Sequence, residues 1–136
     1  MQPPTCVDHL GLAVDSLEQA TRLYRDVLGF AGGGVEEIPD QKVRVALFHA
    51  GEVRIELLEP TAADSPIAKF LDKNPDGGIH HVCYEVDDII AARDHLKAQG
   101  ARILGDGEPK IGAHDKPVLF LHPKDFNGTL VELEQA

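Results

Sequence analysis

The chain has 136 residues, the length of one ordinary domain and enough to bury a core without covalent staples. Hydrophobic residues make up 43% and charged residues 26%, which excludes a predominantly disordered chain. A formal net charge of −10, from 13 Lys and Arg against 23 Asp and Glu, excludes a general nucleic-acid binder but leaves room for an anionic small ligand held by a local cation.

The chain opens Met1-Gln2-Pro3-Pro4-Thr5, with no basic segment leading into an apolar one, and no stretch reaches the roughly 18 apolar residues of a membrane span. Cytoplasm is the expected location. Cys6 and Cys83 lie in separate apolar segments without a CxxC spacing, so both are expected as reduced core or cavity-lining thiols.

The first strand is Asp8-His9-Leu10-Gly11-Leu12-Ala13-Val14-Asp15. Ser16 caps the helix that follows, with Gln19 completing a capping box. Leu17, Ala20, Leu23, Tyr24, Val27 and Leu28 form its apolar face, and Gly29 stops it. Gly32-Gly33-Gly34 marks a turn, and alternating runs at Lys42 to His49 and Val53 to Glu59 read as strands divided by Ala50-Gly51. Ser65-Pro66 opens a short linking helix to Lys73, with Ile67, Phe70 and Leu71 able to pack. His80-His81-Val82-Cys83-Tyr84-Glu85-Val86-Asp87 is a strand again, and Asp88 caps a helix with Ile89, Ala92 and Leu96 inward and Gly100 at its end. Strands at Lys116 to His122 and Thr129 to Glu134 follow, with a turn from Lys124 to Gly128 between them.

This order is a repeat. His9 and His81 each precede an Asp by six positions and are offset by 72 (81 minus 9). The closing strands match with Glu56 on Glu132, offset by 76 (132 minus 56). Each half is therefore a βαβββ module, one at about 5–60 and the other at about 78–135, joined by the linking helix at about 65–73. The expected fold is α+β: one domain over 1–136, in which paired modules make an eight-stranded half-open barrel with helices outside.

Strand alternation places Leu10, Leu12 and Val14 on one face and His9 on the other. His81 likewise opposes Val82, Tyr84 and Val86, while Glu56 and Glu132 oppose their apolar neighbours. Each half offers one His and one Glu on the same face. Two imidazoles and two carboxylates suit a divalent first-row ion such as Co²⁺, Mn²⁺, Ni²⁺ or Zn²⁺. Taken singly, each is better explained as a solvent-facing carboxylate or as an ordinary surface or core histidine. Their symmetric placement in duplicated halves favours the metal. His49, His95 and His122 read as loop or strand-end residues. His114, in Lys110-Ile111-Gly112-Ala113-His114, reads as a loop histidine within reach of a ligand.

Paired βαβββ modules with these residues resemble the vicinal oxygen chelate superfamily, over about residues 5 to 135. Within it the chain is most similar to the methylmalonyl-CoA epimerase family. The specific stretches are Asp64-Ser65-Pro66-Ile67-Ala68-Lys69-Phe70-Leu71 and Glu108-Pro109-Lys110-Ile111-Gly112-Ala113-His114. The resemblance implies metal ligands His9, His81 and Glu132, with the fourth at Glu56, where some members carry Gln. It implies cobalt as the metal, an acyl-CoA substrate, a homodimer, and epimerisation by removing and returning the α-proton. It also implies Glu132 as one acid–base group. The other is a third-strand glutamate in some members, and that position here is Val45, which cannot transfer a proton. Glu56 is the expected substitute. A glyoxalase-type isomerase of a glutathione thiohemiacetal, and a non-catalytic binding protein of the same fold, remain the alternatives.

Overall fold

A computed structural model describes residues 3–136, so Met1 and Gln2 of the N-terminal segment lie outside the described residues. The elements run β1 (Cys6–Ala13), α1 (Leu17–Arg22), β2 (Ala31–Ile38), β3 (Val43–Ala50), β4 (Val53–Pro60), α2 (Pro66–Lys73), β5 (Gly78–Val86), α3 (Ile89–Ala98), β6 (Lys110–Ile111), β7 (Pro117–Leu121) and β8 (Leu130–Gln135). The class is α+β, and the βαβββ order occurs twice. No helix among the described residues is long and apolar enough to cross a membrane. The chain forms two compact units, one of residues 9–80 and one of residues 3–8 with 81–136.

In the unit of residues 9–80 the strand order is β2-β3-β4-β1. β1 runs parallel to β4, and the other pairs are antiparallel. A parallel pair needs a long crossover, and the rest of the module supplies it. One face of this sheet packs Ala46, Phe48, Ile55 and Leu57 against Leu17 and Ala20 of α1. The opposite face packs Ala13, Val43, Val45 and Leu58 against Ile67 of α2. Burying a Leu or Phe side chain of this kind contributes about 1.5–3 kcal/mol. A one-residue slip in register would send every such residue to the wrong face.

Ser16 Oγ accepts the Gln19 N–H at 3.2 Å, as the capping box requires. The helix then departs from expectation. After Arg22 the turn over Leu23–Val27 is π-helical, wider than an α-turn. The wider turn carries the apolar stripe off the sheet. Leu23, Val27 and Leu28 are exposed at 55%, 73% and 61%, and only Leu17, Ala20 and Tyr24 of the expected face pack on the core.

Ser65 is wholly buried, and its Oγ accepts the Ile67 N–H at 3.2 Å with Pro66 in the first turn, which starts α2 where the sequence places it. Just ahead of β5, Gly77 has φ +78, and an added Cβ would lie 2.4 Å from the Ala13 carbonyl oxygen. Only glycine fits there.

In the other unit the order is β5-β8-β7-β6, again with the module's first and last strands parallel. Val86, Leu119, Leu121, Val131 and Leu133 pack on Ile89 and Ala92 of α3, and Leu96 joins them. Asp88 caps α3 by accepting the Ile90 and Ala91 N–H groups, both at 3.1 Å.

Candidate functional site

The repeat is as regular in register as in sequence. In the first module Gly11 on β1 is level with Glu56 on β4. His9 lies two residues earlier on β1, on the same face as Gly11. In the second module Cys83 on β5 is level with Glu132 on β8, and His81 lies two residues earlier. Each module thus sets a histidine diagonally across a parallel strand pair from a glutamate.

His9 Nδ1 is 3.8 Å from Glu56 Oε2, and His81 Nε2 is 3.5 Å from Glu132 Oε1. All four residues are buried, with exposures of 3%, 8%, 8% and 6% for His9, Glu56, His81 and Glu132. Burying an ionised carboxylate is costly unless positive charge meets it. These separations exceed the roughly 2.9 Å of an N–H···O bond. They fit two ligands of one ion, which lie about 3.4 Å apart when each bond is about 2.1 Å and the geometry tetrahedral. By donor chemistry, burial and spacing, each pair fits part of the coordination shell of a divalent cation.

The environment of each pair follows from alternation. Leu47 on β3 is level with Glu56, and Phe120 on β7 is level with Glu132. The Phe120 ring meets the His81 ring edge to face, with centroids 6.4 Å apart and planes at 79°. Val45, two residues before Leu47, is buried in the cluster around Ile67. His80 turns the other way from His81. It packs edge-on to Phe70 at 5.3 Å, and burial lowers its pKa.

One constellation escaped the sequence reading. His114, expected as a plain loop residue, has its Nδ1 2.9 Å from Glu134 Oε1 and 3.9 Å from Asp8 Oδ2. Glu134 is only 1% exposed, and burial pushes its carboxyl above the usual range while His114 pulls it back down. These three residues place ligand atoms within 4.8 Å of one another. Glu134 was open to detection. It lies two residues past Glu132 in the same strand, and so on the same face. Its pairing with a loop histidine, set by β6 and the turn after it, had no sequence signal.

Among the surface lysines that could meet an anionic ligand, Lys110 is paired with Asp106 at 2.8 Å. His122 caps a short 3₁₀ turn, its Nδ1 accepting the Lys124 N–H at 3.1 Å.

Residues 8–120 match the profile of the glyoxalase/bleomycin resistance protein/dioxygenase superfamily. An ethylmalonyl-CoA/methylmalonyl-CoA epimerase of Cereibacter sphaeroides is 60% identical over 130 residues, covering 96% of this chain and 97% of that protein. Among solved structures, the methylmalonyl-CoA epimerase of Mycobacterium tuberculosis is similar with a TM-score of 0.86 and 36% identity, covering 97% of this chain and 88% of that one. A methylmalonyl-CoA epimerase in complex with methylmalonyl-CoA and NH4+ is similar with a TM-score of 0.87 and 35% identity, covering 98% and 96%.

Proposed function

Because the chain belongs to the glyoxalase/bleomycin resistance protein/dioxygenase superfamily, we propose that it is a methylmalonyl-CoA epimerase that interconverts the (R) and (S) thioesters with the help of a divalent metal ion. The observation that carries this reading is the buried His–Glu pair found at equivalent register positions in both modules. Support for the substrate comes from the Cereibacter sphaeroides relative and from the neighbour bound to methylmalonyl-CoA. The proposed ligands are His9, Glu56, His81 and Glu132. Cobalt is the first choice of metal, with manganese, nickel and zinc also suited to nitrogen and carboxylate donors. The proposed setting is a cytoplasmic homodimer.

The α-carbon of the substrate lies between a thioester carbonyl and a carboxylate. Losing its proton sends an electron pair toward the thioester oxygen, and negative charge gathers there. A bound divalent cation supplies a Lewis acid for that charge and offsets the repulsion between an anionic substrate and an acidic protein.

The protein's own groups move the proton. Glu132 accepts it on one side of the carbon, breaking the C–H bond and forming a carboxylic acid. Glu56, contributed by the other module, returns a proton on the other side. The Val45 side chain has no ionisable group and packs in the core, so the proposal gives that task to Glu56 rather than to the third-strand position. The reverse reaction exchanges the two roles.

Proton NMR of the purified protein with methylmalonyl-CoA in D₂O tests the proposal. With Co²⁺ present, the α-proton signal is expected to vanish together with (R)/(S) interconversion, and chelation is expected to stop both. Exchange without inversion would mean that only one side of the carbon has a working acid–base group. No exchange with or without metal would reject the epimerase in favour of a glutathione-conjugate isomerase or a binding protein.

A further inference from the structure

His114 and Glu134 form a pair of a different kind from the proposed ligand pairs. Their separation of 2.9 Å is that of a hydrogen bond, whereas His9–Glu56 and His81–Glu132 stand at 3.8 and 3.5 Å. A neutral imidazole that donates from Nδ1 to a carboxylate keeps its lone pair on Nε2. Asp8 Oδ2, 3.9 Å from the same Nδ1, adds a second negative charge that favours the imidazolium. All three residues belong to the unit of residues 3–8 with 81–136. The turn between β6 and β7 that carries His114 is closed by the Gly112 N–H, which donates to the Lys116 carbonyl at 2.9 Å. The ring is therefore seated both by its own turn and by β8. Its side chain is 22% exposed, against 8% for that of Glu132.

Given the function proposed above, Glu132 ends one turnover in the wrong state for the next. It has taken the α-proton and is a carboxylic acid, while a second substrate of the same configuration needs the carboxylate. One proton must leave Glu132, and one must reach Glu56, before the enzyme acts again. Glu132 is buried, so its proton needs a carrier to water. Glu134 lies two residues on and on the same face, about 6.6 Å along the strand. The charge of Glu132 reaches Glu134, and His114 is bonded to Glu134. In this unit His81 is a proposed metal ligand, His122 caps a turn, and His95 lies on α3 beneath the other face of the sheet. His114 is the remaining imidazole there, among the described residues. We propose that His114 relays the proton between Glu132 and solvent from one turnover to the next. The transfer runs through one intervening water. The Glu132 O–H bond breaks, Nε2 gains the proton, and the Nδ1–H of the imidazolium stays on Glu134. The Nε2–H bond then breaks and the proton passes to bulk water. In the reverse reaction the same steps run backwards and reload Glu132.

The test compares His114→Ala and His114→Asn with the parent protein, reading kcat and kcat/KM for methylmalonyl-CoA in both directions and the metal content of each protein. The relay acts on the free enzyme, after product leaves and before substrate binds. Slowing it lowers kcat and KM together and leaves kcat/KM in place. A proton-transferring side chain contributes about 10²–10⁴-fold to its own step. Once that step limits turnover, kcat is expected to fall about tenfold or more in both variants. Over the same series kcat/KM is expected to stay within about twofold of the parent, with metal content unchanged. Imidazole added to the buffer is expected to restore kcat in His114→Ala and to leave the parent as it was. An unchanged kcat, a parallel fall in kcat/KM, or a loss that imidazole does not relieve overturns the proposal. If His114→Ala does not fold, His114→Asn, which keeps a polar group in the turn, decides by the split between kcat and kcat/KM. Failure of the parent protein to epimerise methylmalonyl-CoA would instead overturn the proposed function, and so is told apart from failure of the relay.

Discussion

Glu56 is given two duties in the proposed reaction, holding the cation and returning a proton. A Gln side chain keeps an oxygen for the metal and loses the proton. Glu56→Gln is therefore expected to retain bound metal and to lose about 10²–10⁴-fold in kcat for inversion, because general acid–base groups contribute on that order. Solvent exchange through Glu132 from one side is expected to persist. Near-normal inversion with metal retained would remove Glu56 from proton transfer. The position was legible because a carboxylate alternating with Ile55 and Leu57 must face away from α1, and because it has a counterpart at Glu132. Glu134 obeys the same alternation, yet no repeat partner singled it out. Its contact with His114 is made from a loop 20 residues away, which periodicity does not encode.

At the scale of elements, short turns are held by charge. Asp125, in the turn between β7 and β8, accepts from the Arg102 backbone N–H at 2.9 Å and from its guanidinium at 2.8 Å, tying that turn to the segment after α3. The Arg102 side chain and backbone together pull the Asp125 carboxyl down to about 2. An unfolded Asp titrates near about 3.9. The folded value is the lower one, so the unfolded chain binds the proton first. The contribution is complete above about pH 4 and is lost as pH falls from there through about 2. Asp125→Asn is expected to flatten that part of the acid limb in urea denaturation measured against pH. An unchanged limb would show the link to be idle. Helix starts were the most legible elements, since Ser16, Ser65 and Asp88 each cap where expected. The end of α1 was not. A period of 3.6 assigns Leu23, Val27 and Leu28 to the core, but a π turn advances by more residues per turn and shows them to solvent.

For the whole molecule, the proposal that both modules serve one ion has a thermodynamic signature. A cation that binds only the native state stabilises it by about 2.7 kcal/mol at a hundred times its Kd. Co²⁺ is expected to raise the unfolding midpoint of the parent protein. His9→Ala and His81→Ala are each expected to abolish most of that rise, although they lie in different compact units. If either variant kept about half of it, each module would bind metal by itself and the single centre would be wrong. The fold class was legible because the repeat doubled every signal, so that weak alternation in one half was supported by the other. What lay beyond the sequence was the closing partner of each sheet, because a parallel pair leaves no local turn to announce it.

That pairing also dictates an order of events. β1 ends at Ala13 and its parallel partner β4 begins at Val53; β5 ends at Val86 and β8 begins at Leu130. About forty residues must be made and gathered before either first strand finds its mate, and closing a loop of that length slows folding more than a hairpin does. Until then the edge of β1 stands open beside its histidine. The hydrogen bonds that shut each sheet are the same ones that bring His9 to Glu56 and His81 to Glu132. A half-assembled module therefore lacks the His–Glu juxtaposition on which the proposed metal site depends, and that site is expected to take up an ion only once the sheets are closed.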